Sequence, residues 1–453
     1  MSTATLATIV LLGVFAVLML LRVPVTLSLL LATCGCALVN GTNLTVMIRQ
    51  MMDGINNVAL LSIPFFILMG EVMSEGQISE KIVDLANLAV GRFRGGLAYV
   101  NGLDSMFFGG ISGSAVADVS SLGSVVVPMM TKQGYTPEFS VGLTVVTACQ
   151  GVLIPPSHNM VIYALAAGTG VSIGDMFLGG VIPGILLGTT LMFLCFLMRF
   201  KHNFPKGTRF GGDQPNRWAL RFVRENGKLK LQAGVCVRVI LNAILPMFTL
   251  VIIMGGVALG VCTVTESSAI ACVYTFLLTY VIFRSAKLRN IGGVLKRSLK
   301  TLSIVLTLLA TAKAFAYMMT ELRIPTMLTN ALMNITTNRT LLLLIINALL
   351  LVLGCFMDMA PLILIMTPIL LPVATSPLIG MNQIHFGVML IFNLAIGLCT
   401  PPVGSALFVG CAVGKTSLEK TSKAMLPMFL VMVCCLMLVT FIPALTLWVP
   451  GLL

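Results

Sequence analysis

The sequence predicts an all-α polytopic membrane protein made of two inverted repeats, each with a re-entrant helical hairpin and a helix broken at a Pro-Pro pair. Three observations carry that prediction. Hydrophobic residues form 58% of the 453-residue chain and charged residues only 9%, and the mean hydropathy is +1.03, so water is not its main solvent. Apolar runs near the roughly 20 residues that span a bilayer recur along the whole length. Acidic and Pro-rich landmarks occur twice in the same order, the sign of an internal repeat.

The first apolar run, about Leu6 to Leu21, has no basic start and no small-residue cleavage site, so it is expected to stay as a helix. The net charge of +13 resides in short loops between apolar runs, as the positive-inside rule expects, which argues against nucleic-acid binding. The densest basic segment, residues 199–238, is expected to be a cytoplasmic loop. From it, helices near Val239–Gly260 and Ser267–Phe283 run out and back, which places Arg284, Lys287, Arg289, Lys296, Arg297 and Lys300 inside. Counting backward places Arg22, Lys81, Arg92, Arg94 and Lys132 inside as well. Gly41–Val58, Thr169–Asp175 and Ser376–Gln383 then face out, and both termini lie outside.

The repeat is read from landmarks. Glu71 matches Glu321 at an offset of 250 (321 − 71), Asp118 and Pro128 match Asp358 and Pro368 at 240 (358 − 118), and Pro155-Pro156 matches Pro401-Pro402 at 246 (401 − 155). An odd number of spans between the halves makes the second repeat inverted. Repeat 1 covers 1–198, with a hairpin at 97–130 and a broken helix at 138–168. Repeat 2 covers 239–453, with a hairpin at 341–372 and a broken helix at 384–414.

Ile111-Ser-Gly-Ser-Ala-Val-Ala-Asp118 is a small, polar interruption that lipid would penalise, so it is expected to line protein or water as a hairpin tip. Met357-Asp358-Met359-Ala360-Pro361 is its counterpart from the opposite face. Paired prolines remove backbone donors and disfavour helix in the residue before them. Unwound loops are therefore expected at Pro155-Pro156-Ser157 and at Pro401-Pro402-Val403-Gly404. Freed carbonyls there suit a hard cation such as Na⁺, and half-helix N-termini suit an anion.

Each feature also has a plainer reading. Asp118 and Asp358 are either ion ligands or caps of the tip helices. Glu71 and Glu321 read as interfacial, and Ser112 and Ser114 also permit close helix packing. His158, directly after the first break, either faces substrate or satisfies loop carbonyls, and Asn159 beside it is a second substrate-facing candidate. Val46–Val58 and Lys287–Lys300 read as interfacial arm helices. Twelve cysteines without Cys-x-x-Cys spacing, and histidines only at His158, His202 and His385, imply neither cofactor nor metal centre. No phosphate loop, nucleophile elbow or zinc-protease motif is present, so an ion gradient is the expected driving force.

Ile63-Pro-Phe-Phe66 with Met69-Gly-Glu71, Ser112-Gly-Ser-Ala-Val-Ala-Asp118, Ile154-Pro-Pro-Ser157 and Thr400-Pro-Pro-Val-Gly404 together resemble the large permease subunit of tripartite ATP-independent periplasmic (TRAP) transporters, within the ion-transporter superfamily. The resemblance implies an elevator mechanism, multi-pass insertion in a bacterial inner membrane, and Na⁺-driven uptake of an organic acid such as a C4-dicarboxylate or sugar acid. It implies one Na⁺ site from Ser112, Gly113 and Ser114 with Pro156 and Ser157, and another from Asp358 with Thr400, Pro402 and Gly404. It also implies two partners, a small four-helix membrane subunit and a periplasmic substrate-binding protein that delivers the organic anion. Thr263-Val-Thr-Glu266 departs from the family's usual Thr-Pro-Thr-Glu, and His158 stands where an apolar residue is common. The competing readings are a stand-alone Na⁺/carboxylate symporter or antiporter of the same superfamily and a structural subunit with degenerate sites. A membrane enzyme is disfavoured, because no catalytic constellation is present.

Overall fold

In the computed structural model the described residues are 3–21, 23–91, 93–168, 170–201, 204, 222–225, 228–231, 233–336, 338–402 and 404–452. Arg22, Arg92, Thr169, His202, Val403 and most of the basic segment, including Lys206, Arg209, Arg217 and Arg221, fall outside them. Among the described residues the secondary structure is helical except for a small antiparallel ribbon in the basic segment, β1 (Phe222–Glu225) with β2 (Lys228–Leu231).

The first half contains α1 (Thr3–Leu20), α2 (Val25–Asn40), α3 (Leu44–Ile55), α4 (Ser62–Glu75), α5 (Ile78–Val90), α6 (Gly96–Ser112), α7 (Ala115–Lys132), α8 (Pro137–Leu153), α9 (His158–Ala167) and α10 (Ile173–Lys201). The second contains α11 (Ala233–Ala258), α12 (Val264–Leu277), α13 (Ile291–Glu321), α14 (Ile324–Ile335), α15 (Arg339–Gly354), α16 (Met359–Ala374), α17 (Gln383–Gly397), α18 (Ser405–Gly414), α19 (Leu418–Phe441) and the short α20 (Ala444–Leu447). Among the described residues seven helical stretches are long and apolar enough to cross a membrane, or eight if the pair α8 and α9, bent by 47°, is one span.

The expected hairpins are α6 with α7 and α15 with α16, and the broken helices are α8 with α9 and α17 with α18. One register relates them. Helices α8 and α17 begin 246 residues apart (383 − 137), α5 and α14 likewise (324 − 78), and α4 and α13 end 246 apart (321 − 75). That register corrects one landmark match. Glu321 corresponds to Glu75, not Glu71, because both close their helices. Cap position corrects another: Asp118 lies within the first turn of α7 whereas Asp358 is the N-cap residue of α16, so the cap of the first hairpin that matches Asp358 is Ser114, 244 residues earlier (358 − 114).

The arms differ between halves. In the first, α3 is separate. Asn43 caps its start by accepting from Thr45 N at 2.9 Å, and Asn57 accepts from Ala59 N at 2.9 Å to begin a new turn toward α4. Leu44, Ile48, Met52 and Ile55 are exposed at helical spacing while Met47 is buried, the pattern of a helix lying in a membrane interface. The expected second arm, Lys287–Lys300, is instead the start of the single long helix α13. Its sequence Leu299-Lys-Thr-Leu-Ser-Ile-Val305 offers no Asn, Gly or Pro to end a helix at the corresponding place. Helix α11 also begins earlier than expected, at Ala233, inside the segment read as loop.

The polar ends sort into two groups. Arg297 on α13 pairs with Glu71 at 2.9 Å and Glu75 at 2.7 Å, Asn290 donates to Glu75 at 2.9 Å, and Lys81 lies 4.3 Å from the centre of the Phe283 ring. Arg94 Nε donates to the Phe204 carbonyl at 3.0 Å. Among segments expected on the other side, Tyr163 Oη donates to the Gln383 carbonyl at 2.7 Å and Thr265 Oγ1 donates to the Val58 carbonyl at 3.3 Å. Thr263 and Glu266 form a capping box at the start of α12, so the departure from Thr-Pro-Thr-Glu leaves that helix entry intact.

Candidate functional site

Two half-sites form where each hairpin tip meets the proline break of the following helix. At the first tip, α6 ends at Ser112, Gly113 turns the chain in the left-handed region (φ +62°), and Ser114 caps α7. Glycine is required there twice over. A side chain would be strained at that φ, and a Cβ would stand 2.9 Å from the Pro156 carbonyl oxygen and 3.4 Å from Ser157 Cα. The tip thus lies directly on the Pro155-Pro156-Ser157 break. Its hydroxyls are ordered: Ser112 Oγ donates a short bond to an Asp118 carboxylate oxygen and accepts from Ser114 N at 3.2 Å, while Ser114 Oγ accepts from Ala117 N at 3.4 Å.

Asp118 is fully buried, and its second carboxylate oxygen has no hydrogen-bond partner among the described residues. That oxygen faces the crossing of α6 and α8, at 3.0 Å from a Cβ built on Gly109 and 2.6 Å from one on Gly151. Ser157 is likewise buried with an unpartnered Oγ. Buried oxygens without donors are costly, and a cation is one group that would satisfy them. Of the sequence-predicted residues, Ser112, Gly113, Ser114, Pro156 and Ser157 come together, and Asp118 joins them through Ser112.

The second half-site has the same plan and a more open setting. Gly404 N donates to the Thr400 carbonyl at 3.1 Å, and the Leu398 carbonyl receives the amide of Ala406 at 3.2 Å. Thr400 Oγ1 donates to the Ile396 carbonyl at 2.8 Å. Asp358 occupies the cap position of α16 but its carboxylate makes no cap bond; it accepts from Ser405 Oγ at 3.3 Å. Asp358 and Pro402 are exposed, whereas Pro155, Pro156 and Ser157 are buried. Both Pro-Pro bonds are cis. His158 opens α9 half-buried, its amide N 3.4 Å from a Cβ built on Gly113, so it lies beside the first tip. Asn159 is buried in the same turn.

Sequence reading missed Ser405 and the polar ties that fix the hairpins to the broken helices. Asn101 on α6 donates to Thr144 Oγ1 at 2.7 Å and accepts from Thr147 Oγ1 at 3.0 Å. In the second half Asn393 donates to Asn347 Oδ1 at 2.9 Å, and Asn347 donates to Thr440 Oγ1 at 3.3 Å. Asn101 and Asn347 are 246 residues apart (347 − 101), so the Pro-Pro offset would have found them. His385 is structural, its Nε2 bonding the Val439 carbonyl at 2.7 Å.

Seven or eight candidate spans among the described residues mark a multi-pass membrane protein, and hairpins docked on broken helices are an arrangement that secondary transporters use. The sequence profile of the Tripartite ATP-independent periplasmic transporter, DctM component, matches residues 12–445, and the chain belongs to that family of multi-pass inner-membrane permeases. It is 38% identical to the uncharacterized protein YgiK of Salmonella typhimurium, over 98% of this chain and 97% of that one. It is 35% identical to the sialic acid TRAP transporter large permease protein SiaM of Vibrio cholerae, over 95% of each. In fold it resembles the YdaH transporter of Alcanivorax borkumensis, with a TM-score of 0.62 at 12% identity over 90% of this chain and 89% of that one.

Proposed function

We propose that this permease drives uptake of an organic acid with an inward Na⁺ gradient, as the large subunit of a complex with a small four-helix membrane subunit and a periplasmic substrate-binding protein. The observation that carries the Na⁺ reading is the first half-site, where the Pro156 carbonyl and the unpartnered, buried Ser157 Oγ lie against the Ser112–Gly113–Ser114 tip. Na⁺ takes neutral oxygen ligands of this kind. The second ion is held by Asp358, Thr400, Pro402 and Gly404, with Ser405 added to that set. Binding of the ions joins each tip to its break, and His158 and Asn159, directly after the first break, face the substrate. The halves are inverted, with the basic segment 199–238 in the cytoplasm, and the hairpins with α9 and α18 move as one body against the arms.

Membership of a tripartite family and similarity to SiaM support the partners and the carboxylate cargo. The test is uptake of radiolabelled organic acids into proteoliposomes, with and without an inward Na⁺ gradient, the small subunit and the binding protein. Uptake that requires all of them is expected. Uptake by this chain alone would make it a stand-alone symporter, and uptake indifferent to Na⁺ would remove the ion sites.

A further inference from the structure

A cavity of about 410 Å³ lies away from both half-sites, between α3 and α13 on one side and α9 and α16 on the other. Its size is that of a small-molecule site, and its polar lining is Gln50, Asp53, Asn57, Lys313, Tyr317 and Thr320. Lys313 is the unusual member. It sits in the apolar span Leu288–Glu321, about 12 Å along the helix from the Glu321 end at 1.5 Å per residue. A charge at that depth is expensive unless it faces a wet cavity or a counter-ion. Among the described residues Lys313 and Asp53 take part in no ion pair, with each other or with any other group.

The fold holds this lysine in place. A Cβ on Gly54 would stand 2.7 Å from Lys313 Cβ and 3.2 Å from its Cγ, so the stem crosses α3 at a residue that leaves room, and Lys313, itself exposed, lines the cavity. Asn57 Oδ1 is already engaged by Ala59 N, which leaves its amide N–H groups to donate. Thr320 Oγ1 is held by the Ala316 carbonyl at 2.9 Å. The remaining groups, Gln50, Asp53 and the Tyr317 hydroxyl, are free to meet hydroxyl or amide groups of a ligand. Because Asp53 adjoins Gly54, a second carboxylate entering beside Lys313 would meet a like charge.

We propose that this cavity is a capture site for a hydroxylated monocarboxylate, with Lys313 pairing the carboxylate and Gln50, Asp53 and Tyr317 taking hydroxyls, and that Asp53 selects against dicarboxylates. This rests on the organic-acid reading above and narrows its substrate class. The test is uptake by the reconstituted complex of N-acetylneuraminate, gluconate, galacturonate and succinate. For the wild type, at least one hydroxylated monocarboxylate should be taken up, with half-saturation at least tenfold lower than that of succinate. Lys313→Met should raise half-saturation for the monocarboxylate at least tenfold while leaving the half-maximal Na⁺ concentration unchanged, Lys313→Arg should retain most uptake, and Asp53→Asn should narrow the gap to succinate. An unchanged half-saturation in Lys313→Met, or succinate as the preferred wild-type substrate, overturns the capture site and leaves the organic-acid reading standing. No uptake of any of the four acids by the wild-type complex sinks that broader reading and the site with it.

Discussion

Ser112 joins the two elements of the first tip, since its hydroxyl donates to Asp118 and receives the Ser114 amide. Ser114→Ala removes the hydroxyl that caps α7 and is proposed to face the ion. It should raise the Na⁺ concentration for half-maximal uptake several-fold, and an unchanged Na⁺ dependence in transport assays would remove Ser114 from the site. The cap itself contributes about 1 kcal/mol, so the variant should still fold. Asp358→Asn separates ligand from cap at the second tip. The native carboxylate makes no cap bond, so thermal stability should stay close to wild type while Na⁺-driven uptake falls strongly; a large drop in melting temperature with normal Na⁺ dependence would show the reverse. At this scale the sequence was legible where chemistry sits beside proline or glycine, as at Ser157 and Gly113. It was silent on Lys313, whose meaning depends on Gly54 and a cavity formed by helices far apart in the chain.

Gly113→Ala tests how a tip docks on a break. The left-handed φ costs an L-residue about 1–2 kcal/mol, and the new methyl would meet the Pro156 oxygen at 2.9 Å. A clearly lowered melting temperature together with weaker Na⁺ dependence is expected in a detergent melt and an uptake assay. Normal behaviour in both would mean that the tip does not rest on the Pro-Pro loop. Helix limits were legible because Gly, Pro and Asn punctuate them: all four site elements begin or end within a few residues of the expected positions. The long helix α13 was misread because an interfacial arm and a span have the same composition at their junction, and only the absence of a breaker joins them. Asp118 was misaligned with Asp358 because a carboxylate in the first turn and one at the cap look alike in a string of residues, although only the cap position is structurally equivalent.

For the molecule as a whole, the proposed inverted repeat makes a prediction about sides. Single cysteines at Lys132 and Ser376, in an otherwise cysteine-free background, should react with an impermeant maleimide from opposite faces of the membrane. Labelling from one face would remove the inverted topology. The arm clamp of Arg297 with Glu71 and Glu75 is half-exposed, and such pairs contribute at most about 1 kcal/mol each. Arg297→Ala should therefore shift the melting temperature only slightly, and a large shift would show that the clamp bears more of the fold than its exposure implies.

In both halves, hairpin and broken helix cross through a pair of glycines. A Cβ on Gly151 would stand 2.5 Å from Gly109 Cα, and one on Gly397 would stand 2.7 Å from Gly354 Cα. Backbone sits where any side chain would begin, and every amino acid other than glycine has a Cβ. The codons of Gly109, Gly151 and Gly397 therefore offer no neutral missense neighbour, since alanine, the mildest replacement elsewhere, meets the same obstacle as tryptophan, whereas a Cβ on Gly354 would stand 3.2 Å from Gly397 Cα and ask less of its neighbour. In a saturation-mutagenesis library those three should appear as columns of near-uniform loss, unlike the graded tolerance of the lipid-facing leucines.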